Sequence, residues 1–200
     1  MKNRDYTLIL DKSGSMSITD QPGGLSRWEA AEESTLALAR KCEKFDPDGI
    51  TVYVFSTRFQ RYDNVTSATV ESIFQTHKPG GLTNLADVLR DAIHNFLERK
   101  VRGALDKDGE TILVITDGEP NDRMAVAQVI VGATQQLDRD EELAISFIQV
   151  GQDEGATTFL RALDDQLEEV GAKFDICDTL TMDEMEEMSL AEVLMNAIED

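Results

Sequence analysis

Three short segments of the sequence carry oxygen-bearing side chains in a pattern that could bind a metal ion. The side chains concerned are Asp11, Ser13, Ser15, Thr83 and Asp117. Ser13 and Ser15 alternate along the chain, so both hydroxyls face one side of an extended loop. Every candidate donor is an oxygen atom, and hard divalent cations prefer oxygen ligands. The pattern therefore predicts a site for Mg²⁺, Mn²⁺ or Ca²⁺ rather than for a metal that seeks sulfur or imidazole.

The positions of these segments follow from the elements predicted around them. An apolar run over residues 6–10 predicts a strand that stops at Asp11. A second buried strand is predicted over 111–116, and Asp117 follows it directly. Thr83 precedes an amphipathic helix predicted over 84–100. We therefore expect two of the three segments to lie at the carboxyl ends of strands.

The remaining chain continues the alternation of strands and helices. Further strands are predicted over 50–55, 143–150 and 173–177, an edge strand or hairpin over 58–65, and helices over 25–45, 68–75, 122–137, 154–167 and 182–198. This order predicts an α/β fold with three layers, in which a doubly wound, mostly parallel sheet with one antiparallel edge strand has helices on both faces. In such sheets ligands bind at the carboxyl ends of the strands. No repeat or linker is evident, so we predict a single domain over residues 1–200.

The three segments together resemble the motifs of a known family. Asp11-Lys12-Ser13-Gly14-Ser15 is similar to the DxSxS motif of von Willebrand factor A (vWA) domains, which is called the metal-ion-dependent adhesion site (MIDAS). The segment 82–84 resembles the threonine loop of that family, and 115–118 resembles its TDG segment. The order and wide separation of the segments also fit, from about residue 6 to the last predicted helix.

The resemblance implies a role for each residue. Ser13 and Ser15 would coordinate the metal directly, and Thr83 and Asp117 would bind it directly or through water. Asp11 would lie beside the ion as an acceptor that orients waters and hydroxyls. Neutral hydroxyls leave much of the charge of the cation uncompensated, so an open position would attract an Asp or Glu carboxylate from a partner protein. The resemblance thus implies a Rossmann-like vWA fold and a protein-interaction module that is not an enzyme.

Simpler interpretations exist for each segment. Serine and glycine are common in turns, so the segment 13–15 could be a turn without a ligand. Thr83 with Asn84 could form the N-cap of the helix that follows, and Thr83 could do this while also binding an ion. Asp117 and Gly118 form a common turn dipeptide, and a structural module with a vestigial metal loop is a further alternative. These interpretations lose weight because all three segments occur together and in the order of the family.

An enzymatic alternative begins from Asp11 at the end of the first strand. An aspartate in that position attacks phosphate in Mg²⁺-dependent phosphatases of the haloacid dehalogenase type. Those enzymes need a carboxylate two residues later as the acid or base, and the residue here is Ser13. The sequence also has no P-loop and no GxGxxG segment after the first strand. The binding module is therefore preferred to the hydrolase.

The charge of the chain excludes several classes of partner. The formal net charge is −20 at pH 7, and a field of that sign repels nucleic acids and anionic membrane surfaces. The first residues lack the features of a secretory signal, and no segment has the ~18 apolar residues of a membrane span. We therefore expect a cytoplasmic protein in which Cys42 and Cys177 are reduced. By analogy with intracellular members of the family, we predict a role in an assembly or stress-response system.

The remaining distinctive residues have structural interpretations. Trp28 lies on the apolar face of a predicted helix, which favours a place in the core. His77 and His94 are isolated in the sequence, and Lys12 is expected to point to solvent. Asp153, at the end of a strand, is typical of a helix N-terminus.

Overall fold

A computed structural model of the chain describes residues 4–42, 49–105 and 108–180. The strands are β1 (Asp5–Asp11), β2 (Ile50–Phe55), β3 (Phe59–Val65), β4 (Glu110–Thr116), β5 (Leu143–Gln149) and β6 (Cys177–Leu180). The helices are α1 (Arg27–Cys42), α2 (Ser67–Thr76), α3 (Leu85–Arg102), α4 (Arg123–Thr134) and α5 (Glu154–Asp165). Short 3-10 turns follow β1 at Gly14–Ser17 and α5 at Glu168–Val170.

The six strands form one sheet in the order β3-β2-β1-β4-β5-β6. All neighbouring pairs are parallel except β2 and β3, which are antiparallel at one edge. The predicted fold class is therefore confirmed, including the antiparallel edge strand. The apolar run of β4 is buried along its whole length, as expected for a central parallel strand.

The site lies where the direction of chain winding reverses. From β1 the chain builds outward through β2 and β3, then returns to place β4 on the other side of β1. The carboxyl ends of β1 and β4 therefore diverge into loops that leave on different sides, which forms the crevice where open α/β sheets bind ligands. The register pairs Leu10 with Ile115, so Asp11 and Thr116 end their strands side by side.

Helices cover both faces of the sheet, and each face has its own apolar core. One core packs α3, α4 and α5 against the sheet, with Phe96 and Phe147 among its buried side chains. The other core packs α1 and α2 against the opposite face and contains Trp28. The Trp28 ring lies 4.5 Å from the ring of Phe74, centroid to centroid, so the expected core position of this tryptophan is confirmed.

Local sequence explains several helix ends. Asp122 and Asp153 each accept a hydrogen bond from the backbone three residues later, which caps α4 and α5. Asp153 is thus a helix cap, as its position predicts. Helix α3 ends at Gly103, whose φ of 66° closes the helix in the left-handed conformation. These caps fix the helices relative to the loops at the edge of the sheet.

The last strand differs from the prediction. The sequence predicts a strand over 173–177, whereas β6 begins at Cys177 and pairs with Ile145–Ile148 of β5. The backbone N–H of Lys173 donates to the Thr134 hydroxyl, and the Lys173 ammonium donates to the carbonyl of Leu137. These bonds join the preceding segment to the end of α4, so the strand starts about four residues later than predicted.

Other element boundaries shift by a few residues. Helix α1 begins two residues after its predicted start, and α4 ends before the predicted residue 137. The predicted helix over 182–198 lies outside the described residues. Among the described residues, Cys42 and Cys177 are buried and form no disulfide. No helix in these ranges combines the length and the apolar character needed to cross a membrane.

Candidate metal centre

The carboxylate of Asp11 lies at the end of β1 with none of its surface exposed. One oxygen accepts a hydrogen bond from the backbone N–H of Ser13 at 2.7 Å, and the other accepts one from the Thr116 hydroxyl at 2.7 Å. Burial raises the pKa of Asp11 to about 6, although both hydrogen bonds favour the charged form. Asp11 thereby fixes the loop after β1 against the end of β4.

Three oxygen atoms from two loops meet beside this carboxylate. The Ser13 and Ser15 hydroxyl oxygens are 3.2 Å apart, and they lie 3.3 Å and 2.8 Å from Oδ1 of Asp117. We call these three atoms the oxygen triangle. Ser13 and Asp117 are buried, whereas Ser15 is half-buried, so the triangle lies at the boundary between core and solvent. The structure thus brings four of the five predicted residues into direct or adjacent contact.

The threonine loop, taken here as residues 80–84, is held against both of the other loops by backbone hydrogen bonds. The N–H of Gly80 donates to the carbonyl of Lys12 at 2.7 Å, and the N–H of Asn121 donates to the carbonyl of Thr83 at 3.0 Å. Thr83 is buried, but among the described residues its side chain makes no hydrogen bond with the other four candidates. The three segments therefore converge, with the Thr83 hydroxyl outside the oxygen triangle. The N-cap of α3 is Asn84, the second of the two residues predicted to cap this helix, and its side chain makes no capping hydrogen bond.

Gly81 explains how the threonine loop approaches its neighbour. Its φ of 94° lies in the left-handed region that favours glycine. A Cβ atom at this position would lie 3.0 Å from the hydroxyl oxygens of both Ser56 and Thr57. Glycine thus permits both the turn and the close contact with the end of β2.

An arginine that the sequence analysis did not predict completes the centre. Arg27, the first residue of α1, donates from Nη1 to Oδ2 of Asp117 at 2.8 Å. The same guanidinium binds Asp20, with Nη2 2.6 Å from Oδ2 of that residue. Burial alone would lower the pKa of Arg27, but its hydrogen bonds with Asp20 and Asp117 raise it above the ordinary value. The pKa of Asp20 falls because of the same bonds.

The expectation that Lys12 points to solvent is wrong. Its ammonium donates to the Ser56 hydroxyl at 3.1 Å, and the residue is half-buried. Lys12 lines a cavity of about 330 Å³ between β2, β3 and His77. His77 contacts the Tyr62 hydroxyl at 2.8 Å, and burial together with Lys12 lowers its pKa. These contacts agree with a structural role for His77.

Few of the candidate metal ligands in the centre are charged. Among the described residues, no group of three or more His, Cys, Asp or Glu side chains could hold a metal ion. Two carboxylates are present, and one of them is bound by Arg27. A cation at this position would therefore depend on serine hydroxyls, the donors that the sequence pattern identifies.

Sequence reasoning missed three residues that shape the centre. Arg27 and Asp20 carry no motif, and an arginine at the start of a helix is ordinarily solvent-exposed. Thr116 could have been found, since its strand position beside Asp11 follows from pairing the two predicted strands. The signal for Arg27 would have been its spacing of three and four residues from Ala30 and Ala31, which places it on the buried face of the helix.

Solved structures with a similar fold come from proteins of different kinds. The D319A mutant of the PilB minor pilin from Streptococcus sanguinis matches all of this chain with a TM-score of 0.67 at 14% identity, over 61% of its own length. The pilus adhesin SpaC from Lactobacillus rhamnosus GG also matches all of this chain, with a TM-score of 0.60 at 13% identity, over 30% of its length. Proximal thread matrix protein 1 of the mussel byssus has a TM-score of 0.61 at 17% identity, covering 98% of this chain and 47% of that protein.

The chain spans less than two thirds of the length of each of these structures, and identities this low establish the fold alone. No curated protein has significant sequence similarity to the chain. A family profile does match, over residues 4–199, and it is described as the vWA domain found in the C terminus of TerF. This match includes all three loops of the centre and every strand of the sheet. The chain therefore belongs to the family of von Willebrand factor A domains, in its TerF-like group.

Proposed function

We propose that this vWA domain binds one Mg²⁺ or Mn²⁺ ion, or Ca²⁺, and uses it to capture a carboxylate group of a partner protein. Ser13, Ser15 and Asp117 would hold the ion, and Thr83 would bind it directly or through water. Asp11 would orient the serine loop. The ion would supply an electrophilic position for an acidic side chain of the partner, and no bond need form or break.

The oxygen triangle is the observation that supports this proposal. Two ligands at right angles in an octahedral Mg²⁺ site, each ~2.1 Å from the metal, are about 3 Å apart. The three edges of the triangle measure 3.2, 3.3 and 2.8 Å, which is the size of one face of such an octahedron. The serine and aspartate oxygens therefore need little rearrangement to accept an ion.

The charges around the triangle favour a ligand that is negatively charged. Two of its three oxygens belong to neutral hydroxyls, and the carboxylate of Asp117 already shares its charge with Arg27. An ion held in this way keeps much of its positive charge and attracts a further oxygen anion. Leu82, next to Thr83, is 60% exposed and offers an apolar contact beside that position.

The position of Asp11 argues against the alternative of a phosphatase. A nucleophilic carboxylate must reach the phosphorus atom, whereas Asp11 has no exposed surface and both of its oxygens accept hydrogen bonds. The residue two positions later is Ser13, which cannot act as the acid or base. We therefore propose a binding module without hydrolytic activity.

The wider role that we propose is in a cytoplasmic assembly or stress-response system. It follows the analogy with intracellular vWA domains and depends on the metal site described above. An affinity capture of partners from a cell lysate, with and without EDTA, tests it. Partners that are retained equally in EDTA would contradict a metal-dependent role.

Isothermal titration with Mg²⁺, Mn²⁺ and Ca²⁺ tests the site itself. We expect one ion per chain, and about tenfold weaker binding in Ser15→Ala because one ligand is lost. Ser72→Ala is the matched control, since its hydroxyl lies on the exposed surface of α2 and donates only to the carbonyl of Thr69. The proposal is wrong if the wild-type chain binds none of the three ions, or if both alanine variants bind them equally well.

A phosphate ester assay separates the two classes of function. We expect no Mg²⁺-dependent hydrolysis of a generic aryl phosphate. Turnover that depends on Mg²⁺ and disappears in Asp11→Asn would establish the hydrolase instead.

A further inference from the structure

Arg27 is the cationic side chain that contacts the predicted metal ligands, and its surroundings hold it in one orientation. Its Nη1 atom lies 2.8 Å from Oδ2 of Asp117, while the two serine hydroxyls contact Oδ1 of the same carboxylate. Each oxygen of Asp117 thus has its own set of donors. Arg27 determines which oxygen of Asp117 belongs to the triangle.

We propose that Arg27 is a positioning residue that orients Asp117 and weakens the affinity of the centre for its metal, so that a bound ion keeps more charge for the carboxylate of a partner. This inference rests on the proposed function. It concerns the regulation of affinity in that site rather than the presence of the site.

Burial makes the effect of the guanidinium charge large. Arg27 is 8% exposed and Asp117 is 1% exposed, so water and salt screen their interaction weakly. A carboxylate that already shares its charge with a buried cation interacts less strongly with a second cation. The positive charge of Arg27 also repels a metal ion placed on the other oxygen of Asp117.

The site that holds the guanidinium of Arg27 is shaped for arginine. Asp20 binds it through Nε and Nη2, at distances of 3.1 and 2.6 Å to the carboxylate oxygens. Behind it lies Gly151, where a Cβ atom would be only 2.2 Å from Cζ of Arg27. The planar fork thus spans from the half-exposed Asp20 to the buried Asp117, which a lysine ammonium cannot do with the same geometry.

Two substitutions within this ion-pair chain are expected to act in opposite directions. Arg27→Gln keeps a hydrogen-bond donor but removes the charge, so we expect about tenfold tighter Mn²⁺ binding. Asp20→Asn leaves Asp117 as the charged partner of Arg27, so the guanidinium draws more strongly on that carboxylate. We therefore expect about threefold weaker Mn²⁺ binding than in the wild type. A purely structural role for Arg27 would weaken metal binding in both variants.

Isothermal titration with Mn²⁺ alone, on the full chain, measures both affinities. Arg102→Gln and Glu98→Gln are the matched controls, because this exposed pair lies at the far end of α3 and the substitutions change the net charge by the same amounts. We expect both controls to bind Mn²⁺ like the wild type. Arg27→Lys, which keeps the charge, is expected to stay within about threefold of wild-type affinity.

A second titration, of acetate into the Mn²⁺-loaded protein, measures the charge left on the ion. Acetate is expected to bind more weakly to Arg27→Gln than to the wild type. If Arg27→Gln does not fold, Arg27→Lys decides the matter: a Mn²⁺ affinity within about threefold of the wild type supports control by the charge, and a larger loss of affinity overturns the inference.

The outcomes separate this inference from the proposed function. A wild-type chain that binds Mn²⁺, with weaker binding in Arg27→Gln, overturns the inference and leaves the metal site intact. Asp20→Asn binding as tightly as the wild type or more tightly also overturns it. A wild-type chain that binds no Mn²⁺ refutes the proposed function, and the inference with it.

Discussion

Buried carboxylates occur at both ends of the central strands, but the two ends neutralise them differently. At the amino end Glu110 is 1% exposed, and it accepts hydrogen bonds from the Thr7 hydroxyl at 2.6 Å and from Arg99. Arg99 also binds Asp5. Burial raises the pKa of Glu110, and Arg99 opposes that shift. In the part of the chain that the structure describes, this carboxylate has one charged partner, and its hydroxyl donor comes from β1 rather than from a loop.

The carboxyl end has two buried carboxylates, Asp117 and Asp11, beside a single arginine, Arg27. Asp117 is paired with Arg27, whereas Asp11 accepts its hydrogen bonds from a backbone N–H and a hydroxyl. Glu110 at the amino end therefore contacts a cation, whereas Asp11 at the carboxyl end lies beside hydroxyl oxygens and has no cationic partner among the described residues. We infer that the first arrangement stabilises the sheet and that the second serves a ligand.

The largest expected effect is on stability at the amino end. Arg99→Met leaves Glu110 buried beside Thr7 without its cation, which is expected to lower the free energy of unfolding by about 3 kcal/mol. Urea denaturation in EDTA measures this change. Arg102→Met, on the exposed face of the same helix, is the control and is expected to stay within about 0.5 kcal/mol of the wild type. Equal stability of the two variants would mean that the amino-end pair is not structural.

Matched neutral substitutions at the two ends are expected to separate stability from metal binding. Asp117→Asn removes the charged oxygen of the triangle, and we expect about 100-fold weaker Mn²⁺ binding. Glu110→Gln changes the net charge equally at the opposite end and is expected to leave the Mn²⁺ affinity unchanged. Titration calorimetry gives both values. A comparable loss in both variants would show that net charge, rather than the triangle, controls binding.

A smaller effect is expected from the pH dependence of the metal-free protein. The pKa of Asp11 rises from 3.8 to about 6 on folding, so the proton stabilises the folded state. That stabilisation is complete below about pH 4 and is lost as the pH rises through 6. In EDTA at pH 8, Asp11→Asn is therefore expected to be more stable than the wild type by roughly 1–2 kcal/mol.

Urea denaturation between pH 4 and pH 8 measures this difference. The advantage of Asp11→Asn is expected to disappear towards pH 4, where the wild-type carboxyl is protonated. A difference that is independent of pH would contradict the assignment to Asp11.

The sequence predicted the elements that carry strong local patterns. The strand β4 and the position of Asp117 after it follow from the continuous run of apolar residues, because a central parallel strand is apolar on both faces. The convergence of the loops with Asp11 and Thr83 then follows from the order of elements in a doubly wound sheet. The predicted start of the last strand was wrong because Lys173 makes its contacts with the end of α4, and no local pattern reveals those contacts.

The residues around the centre were predicted where a motif identified them. Ser13 and Ser15 occur in a recognisable spacing, whereas Arg27 acts through a contact with Asp117, which lies 90 residues away in the sequence. The direction of Lys12 likewise depends on Ser56, which lies in the loop after β2. Long-range pairings of this kind depend on tertiary structure and not on local sequence.

The glycine after β5 connects a third strand to the chemistry of the centre. Gly151 has a φ of 80°, and its missing side chain is the space that the guanidinium of Arg27 fills. A methyl group there would clash with the guanidinium and leave the Asp117 carboxylate without its cation, although Ser13, Ser15 and Asp117 themselves would be unchanged. The pairing of Arg27 with Asp117 thus depends on the lack of a side chain at position 151. A comparison of sequences at this position would distinguish domains that can accommodate the arginine from those that cannot.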